Sequence, residues 1–264
     1  MTGRAVERVR GYVLAYRDYG ESDRIVTVLT GEKGKFKGIA KGARRSRKRF
    51  ANAIELFCLS SILVSRRRPE GLYLIEECDV INHYPAIRED LEKTLAASYF
   101  SELVDLFTAE EKPGPRLFDH LKGFLDLLEH GPLSESLSRF FELRLLSLSG
   151  YEPALDRCAG CGSPLGGTRG LSFVPEEGRS RCEGCCGPES SGVHLSPGTI
   201  QTLIAGNTIA LDKIRRLSFT GRALRESDAM MSRLIRHILG REPRSMRVCK
   251  EVLLLARRKE SSPS

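Results

Sequence analysis

The sequence has no long apolar run. A helix that crosses a bilayer needs about 18–20 consecutive apolar residues, and the longest stretch here, "EVLLLA" near the C-terminus, is far shorter. No membrane association is therefore expected. The leading "MTGRAVERVRGYVLAY" has neither the apolar core nor the small-residue cleavage site of a secretory signal. A cytosolic protein is expected, whose eight cysteines are thiols or metal ligands rather than disulfides. Catalytic signatures are missing as well. There is no H-E-x-x-H, no G-x-S-x-G, no phosphate-loop G-x-x-x-x-G-K-[ST] and no dinucleotide fingerprint. His83, His120, His130, His194 and His237 are scattered, and the acid pairs at 76–77, 110–111 and 176–177 read as surface or helix-end charges. An enzyme is not expected. The chain also lacks tryptophan and any internal repeat, yet its 264 residues are 41% hydrophobic, ample for a packed core in one large domain or two to three small ones.

What is present is charge, unevenly placed. The net of +8 conceals +9 over residues 1–50, −2 over 51–82, −7 over 83–210 and +8 over 211–264. A basic head, an acidic middle and a basic tail point to a polyanion partner at one or both ends; for the tail, solvated basic helices are an equal alternative. The sharpest feature is "KFKGIAKGARRSRKRF", residues 35–50, with eight Lys or Arg and no acid.

The first ~82 residues read as strands. "GYVLAYRDY" and "RIVTVLT" are rich in Val, Ile, Thr and Tyr and are separated by the turn-like "GESD". "GEKG" is a hairpin turn leading into "KFKGIAKG", and "IELFCLSSILVS" and "GLYLIEECDVI" follow. Five short strands in this space fit a small closed barrel, of which the OB-fold is the commonest nucleic-acid-binding type. From residue 86 the period becomes helical. One helix is expected over "AIREDLEKTLAASYFSELVDLF", a second over "RLFDHLKGFLDLLEH", and a third over "SESLSRFFELRLLSLSG" with Ser134 as N-cap and Gly150 as C-cap. Residues 153–192 are rich in Gly, Pro and Cys with little apolar periodicity, and helix returns over about 196–210 and 222–258. The fold class is α+β and multidomain.

Lys33, Lys35, Lys37 and Lys41 share one strand face, with Phe36, Gly38 and Ala40 on the other. A barrel face lined with ammonium groups, continued by an arginine loop, tracks a phosphate backbone. The candidate nucleic-acid-binding residues are Arg24, Lys35, Lys37, Lys41, Arg44, Arg45, Arg47, Lys48 and Arg49. Tyr12, Tyr16, Tyr19, Phe36 and Phe50 are candidate stacking platforms, of which at least half belong to the core.

Cys158 and Cys161 lie in "CAGCG", Cys182 and Cys185 in "CEGC", twenty residues apart. Two C-x2-C knuckles present four thiolates to one ion, the pattern of a structural zinc site with no open position for water or substrate. Gly160, Gly162, Gly184 and Gly187 suit tight turns with positive φ. Cys186 and His194 are substitutes for the fourth ligand, Cys185. Cys58, Cys78 and Cys249 read as small core residues.

Three segments together, "YGESDRIVTVLTGEKGKFKGIAKGARRSRKRF", "LLSLSGYEPALDRCAGCG" and "ILGREPRSMRV", resemble the RecO family of bacterial DNA repair and recombination mediators. The resemblance runs from about residue 4 to residue 256 in the right order. It implies an OB-fold over 1–82, a helical domain in two parts over 83–152 and 193–264, and an inserted zinc module over 153–192. It implies binding of single- and double-stranded DNA, annealing of complementary strands, and work with RecR that helps RecA replace single-strand-binding protein (SSB). Docking of the acidic, hydrophobic-tipped SSB tail on the helical domain and a nucleoid-associated place in the bacterial cytoplasm come with it. Some family members lack the zinc cysteines; here all four are kept, and "GRSR" replaces the Gly pair common before the third. Two other readings stand beside this one: an RNA-binding OB-fold protein with a structural zinc ribbon, and an enzyme whose site is assembled from distant residues.

Overall fold

Short runs rich in β-branched and aromatic side chains recur through the first third of the chain, the composition that favours strands. The computed structural model describes residues 6–46, 48–66, 71–165, 170–186 and 192–248. Five strands form: β1 (Val6–Tyr19), β2 (Asp23–Thr30), β3 (Gly34–Ala40), β4 (Leu59–Ser65) and β5 (Tyr73–Asn82). They close into a barrel in the order β1-β2-β3-β5-β4. The long β1 makes closure possible, because its first half pairs with β4 and its second half with β2, with a bulge between Val13 and Ala15. Gly11 sits at that crossover, where a Cβ would come within 2.4 Å of Val28 Cγ1. The last seam is short and parallel: Gly38, Ile39 and Ala40 pair with Tyr73, Leu74 and Ile75. Gly38 is needed there because an added Cβ would meet Ile75 Cγ1 at 2.7 Å. Val13, Val26, Val28, Phe36, Ile62 and Ile75 fill the interior. This is the OB-fold that the strand count suggested.

One detail differs from expectation. β4 starts at Leu59 rather than at Ile54, because Phe57 takes a positive φ of 50° and the backbone there bonds to the β1 bulge, Phe57 N–H to the Val13 carbonyl at 2.8 Å. Cys58 and Cys78 are buried as expected, whereas Cys249 lies outside the described residues.

The first compact unit takes in the chain up to Pro132 and again from Val248, and the second runs from Leu133 to Arg247, so the helical stretch expected over 86–150 is divided between them. The first unit adds α1 (Pro85–Arg88), α2 (Leu91–Phe107) and α3 (Pro115–Glu129) to the barrel. The single helix expected from residue 86 is broken at Glu89–Asp90, since the Asp90 side chain caps α2 by accepting the Lys93 N–H at 3.1 Å. A buried chain of hydroxyls joins barrel and helices: Tyr12 and Tyr84 share a hydrogen bond of 2.8 Å, and Tyr84 donates to Asp126 Oδ1 at 3.1 Å. Between α2 and α3 the chain lies along the outer edge of β3. The Glu111 N–H donates to the Lys35 carbonyl at 2.7 Å and the Gly114 N–H to the Gly31 carbonyl at 3.3 Å. Gly34, at φ +70°, allows this approach: a Cβ there would stand 1.8 Å from the Lys112 carbonyl oxygen.

In the second unit α4 (Glu135–Leu148) opens on Ser134, whose Oγ accepts the Leu137 N–H at 3.2 Å, and ends before Gly150 at φ +83°. The Cys-rich stretch is not irregular. It holds a four-stranded sheet in the order β6-β8-β7-β9, made of β6 (Ala154–Cys158), β7 (Leu171–Val174), β8 (Arg179–Arg181) and β9 (Val193–Leu195). α5 (Pro197–Thr208) and α6 (Gly221–Leu239) complete the unit. The helix expected to run over 222–258 is interrupted after Leu239, because Gly240 takes the left-handed C-cap conformation at φ 66°; helix resumes at residues 244–248, and the stretch from residue 249 lies outside the described residues. Phe140, Phe141, Leu145, Met230 and Leu234 are core residues, and buried Arg139 bridges Glu142 (2.8 Å) and Asp228 (2.6 Å). Among the described residues no helix is long and apolar enough to cross a membrane.

Candidate nucleic-acid interface and metal centre

The basic stretch splits into two differently treated parts. After β3 the chain turns through Gly42, at φ +67°, whose N–H donates to Asp23 Oδ1 at 2.8 Å. The Arg44 N–H donates to the Ser22 carbonyl at 3.0 Å, which fixes this loop against the β1–β2 turn. The Gly42 N–H, helped by the Ser22 hydroxyl, holds the Asp23 carboxyl below its ordinary range. Lys41, Arg44, Arg45, Lys48 and Arg49 all stand exposed on this surface; Arg47 lies outside the described residues. Arg44 pairs with Asp18 (3.4 Å) and Arg45 with Glu21 (3.5 Å), exposed pairs worth about 0–1 kcal/mol in water. Arg49 donates to the Lys41 carbonyl at 3.0 Å, and Lys48 has no carboxylate partner among the described residues. Arg24, half-buried nearby, reaches Asp18 at 3.2 Å and Glu55 at 3.3 Å. Of the five aromatic candidates, Tyr12, Phe36 and Phe50 are buried and offer no platform, while Tyr16 and Tyr19 are exposed.

The lysines of β3 are held by acids. The strand alternates as expected, with Phe36 and Ala40 in the barrel core, but the outer face is not all open. Lys35 is only 8% exposed, because α2 covers it and Asp105 Oδ1 takes its ammonium at 2.9 Å. Lys37 is exposed and paired with Glu110, Lys33 meets Glu7 at 2.9 Å, and Arg66 meets Glu111 at 2.8 Å. The sequence reading missed these acids, and it missed Arg66 as a neighbour of the lysine face. The acid pair at 110–111 was visible, but its position on β3 depends on a fold contact more than 70 residues away in sequence.

The cysteines converge. The Sγ atoms of Cys158, Cys161, Cys182 and Cys185 lie within 4.8 Å of one another, with Cys158–Cys182 at 3.6 Å and Cys161–Cys182 at 3.8 Å. A tetrahedron with metal–sulfur bonds of about 2.3 Å has edges of about 3.8 Å, so the donor set fits a divalent thiolate site. Cys186 and exposed His194 are not in this group, which leaves Cys185 as the fourth member. The first knuckle closes the end of β6, where the Gly162 N–H bonds the Cys158 carbonyl at 2.9 Å with Gly162 at φ +72°. The second is a short 3-10 turn, Glu183–Cys185. Among the described glycines of the two knuckles only Gly162 has the positive φ expected; Gly160 is required instead by crowding, since a Cβ there would meet Cys185 Cβ at 2.9 Å. The Cys182 backbone N–H, with those of Cys161 and Gly160, lowers the Cys158 thiol to about 6, and the hydrogen bond from Cys182, with the other cluster sulfurs, pushes Cys185 up to about 12. A central cation favours all four as thiolates.

Comparison with known proteins bears on both sites. Residues 4–84 match the family described as "Recombination protein O N terminal", and residues 88–247 that described as "Recombination protein O C terminal". The chain is 46% identical over 254 residues to a DNA repair protein RecO of Syntrophus aciditrophicus (strain SB), covering 96% of this chain and 98% of the relative. It is 36% identical over 248 residues to the protein of the same name from Geobacter metallireducens, covering 93% and 97%, and 35% identical over 245 residues to that of Anaeromyxobacter sp. (strain K), covering 93% and 96%. Barrel, helices, cysteine cluster and further helices in this order, with these matches over nearly the whole chain, place it in the RecO family.

Proposed function

We propose that this chain is a DNA repair and recombination mediator that binds single- and double-stranded DNA, anneals complementary strands, and works with RecR to help RecA replace SSB. The observation that carries the reading is the loop after β3, tied by the Arg44 N–H to the Ser22 carbonyl of the β1–β2 turn, where Lys41, Arg44, Arg45, Lys48 and Arg49 are exposed, together with exposed Tyr16 and Tyr19 at the end of β1. No bond is made or broken in this function. Two phosphate backbones repel each other, and a cationic barrel edge screens that repulsion while base pairing nucleates. Exposed tyrosine rings give unpaired bases a sequence-tolerant place to stack. The four thiolates hold one structural zinc; with every position filled by protein, the ion braces the β6–β9 sheet and takes no part in chemistry.

The test is an annealing assay with complementary oligonucleotides. The wild-type protein accelerates pairing, and the variant Arg45→Glu/Lys48→Glu/Arg49→Glu loses that acceleration while keeping its melting temperature. If four to six phosphates are neutralised, log affinity for single strands falls with log salt at a slope of roughly −3 to −4. A folded wild-type protein that leaves the protein-free annealing rate unchanged overturns the reading, and a clear preference for RNA over matched DNA supports the RNA-binding alternative.

A further inference from the structure

The segment between α2 and α3 is built onto the barrel as an additional piece of strand. Glu110 forms a parallel bridge with Lys35, and the Glu111 N–H donates to the Lys35 carbonyl at 2.7 Å. This backbone pairing sets two carboxylates along the outer edge of β3, Glu110 on the Lys37 ammonium and Glu111 on the Arg66 guanidinium at 2.8 Å. Lys37 and Glu110 are each about half exposed, at 46% and 51%, so water and other ions reach the pair. The Lys37 hydrogen bond outweighs burial and keeps the Glu110 carboxyl ionised below its ordinary range. Glu111 adopts a positive φ of 57°, a conformation that L side chains with a Cβ rarely adopt. Beyond Lys37, β3 runs straight into Lys41, four residues on and about 13 Å away along an extended strand.

We propose that Glu110 and Glu111 form an acidic strap that masks Lys37 and Arg66, and that a nucleic-acid backbone spreading from the 41–49 loop displaces it. This rests on the DNA-binding reading above and deepens it by naming what regulates that surface. The Lys37–Glu110 pair is exposed and contributes little in water, while Arg66, 18% exposed, is held beneath Glu111 and also by the Gly71 carbonyl; a polyanion presents many phosphates at once and releases its own counterions on binding. The strap therefore restrains loose binding of isolated anions and yields to a long strand. Lys35 takes no part, because it is buried against Asp105.

The experiment compares single-strand affinity across a salt series for the wild type, Glu110→Gln/Glu111→Gln, and a control of equal charge change at exposed sites on the same unit, Glu89→Gln/Glu92→Gln. Two unmasked cations make the log–log slope of the strap variant steeper by about 1.4 and raise affinity roughly ten- to thirtyfold at 0.1 M salt, with the control near wild type. Melting temperatures show that all three are folded. A strap variant that matches the wild type, or a control that gains as much, overturns the strap while leaving DNA binding in place. If no protein binds DNA, the strap falls together with the function on which it rests.

Discussion

Arg24 holds its guanidinium carbon 4.4 Å from the centre of the Tyr16 ring while its nitrogens reach Asp18 and Glu55. The tyrosine is thereby fixed by a cation on one side, and 36% of it stays exposed. Stacking of one base on an aromatic ring is worth about 1–3 kcal/mol. Tyr16→Ala is expected to weaken single-stranded DNA binding roughly five- to hundredfold, with much less effect on duplex, whose bases are already stacked. Parallel anisotropy titrations on a single strand and its duplex check this; equal losses on both remove Tyr16 as a platform.

Cys161→Ser takes one thiolate from the cluster. Elemental analysis is expected to fall from about one zinc per wild-type chain to well below one, and the second unit to melt earlier, because in small modules metal binding and folding are one free energy. A chelator is expected to destabilise the wild type in the same way and the variant hardly at all. Unchanged melting in both assays would mean that the cluster folds without an ion.

Glu226 joins α6 to the start of α5. It accepts the Ser196 N–H at 2.8 Å and the Ser196 hydroxyl at 2.7 Å, and it takes the Thr199 hydroxyl and the Arg222 guanidinium as well. Partial burial pushes its carboxyl up, but these donors outweigh burial and bring it down to about 2. A carboxyl that titrates lower in the folded chain than its unfolded value of about 4.3 stabilises fully above that value, and loses the effect as the pH falls toward 2. Glu226→Gln is expected to lower the melting temperature by about 3–8 °C at pH 7, with the gap to wild type closing between pH 4 and 2. A gap independent of pH would show that packing, not charge, holds this joint.

Tyr84→Phe cuts the hydroxyl chain between the barrel and α3. Tyr12 loses its partner in a buried site, and Asp126 keeps only the links that do not pass through Tyr84, among them Lys122 at 2.6 Å. A cost of about 1–3 kcal/mol is expected in chemical denaturation.

The readable parts of the sequence were those whose signal is local. Short runs rich in Val, Ile, Thr and Tyr between turn signals gave the barrel strands, and the C-x2-C spacing gave the cluster of Cys158, Cys161, Cys182 and Cys185. Alternation along β3 told which side Lys35 faces, but not that α2 covers that side, because Asp105 is 70 residues away in sequence. β6 to β9 run for only three to five residues each, too short for a period to stand out. The breaks at Asp90 and Gly240 come from single caps within otherwise continuous helical patterns.

A cylinder riveted along four long joints and clasped by one small hook parts at the hook. Gly38, Ile39 and Ala40 are the whole of that hook on the β3 side. Deuterium is expected to enter the amides there well ahead of those shared by β1 and β2, and any ligand lying across both lips would seal the tube and slow that entry.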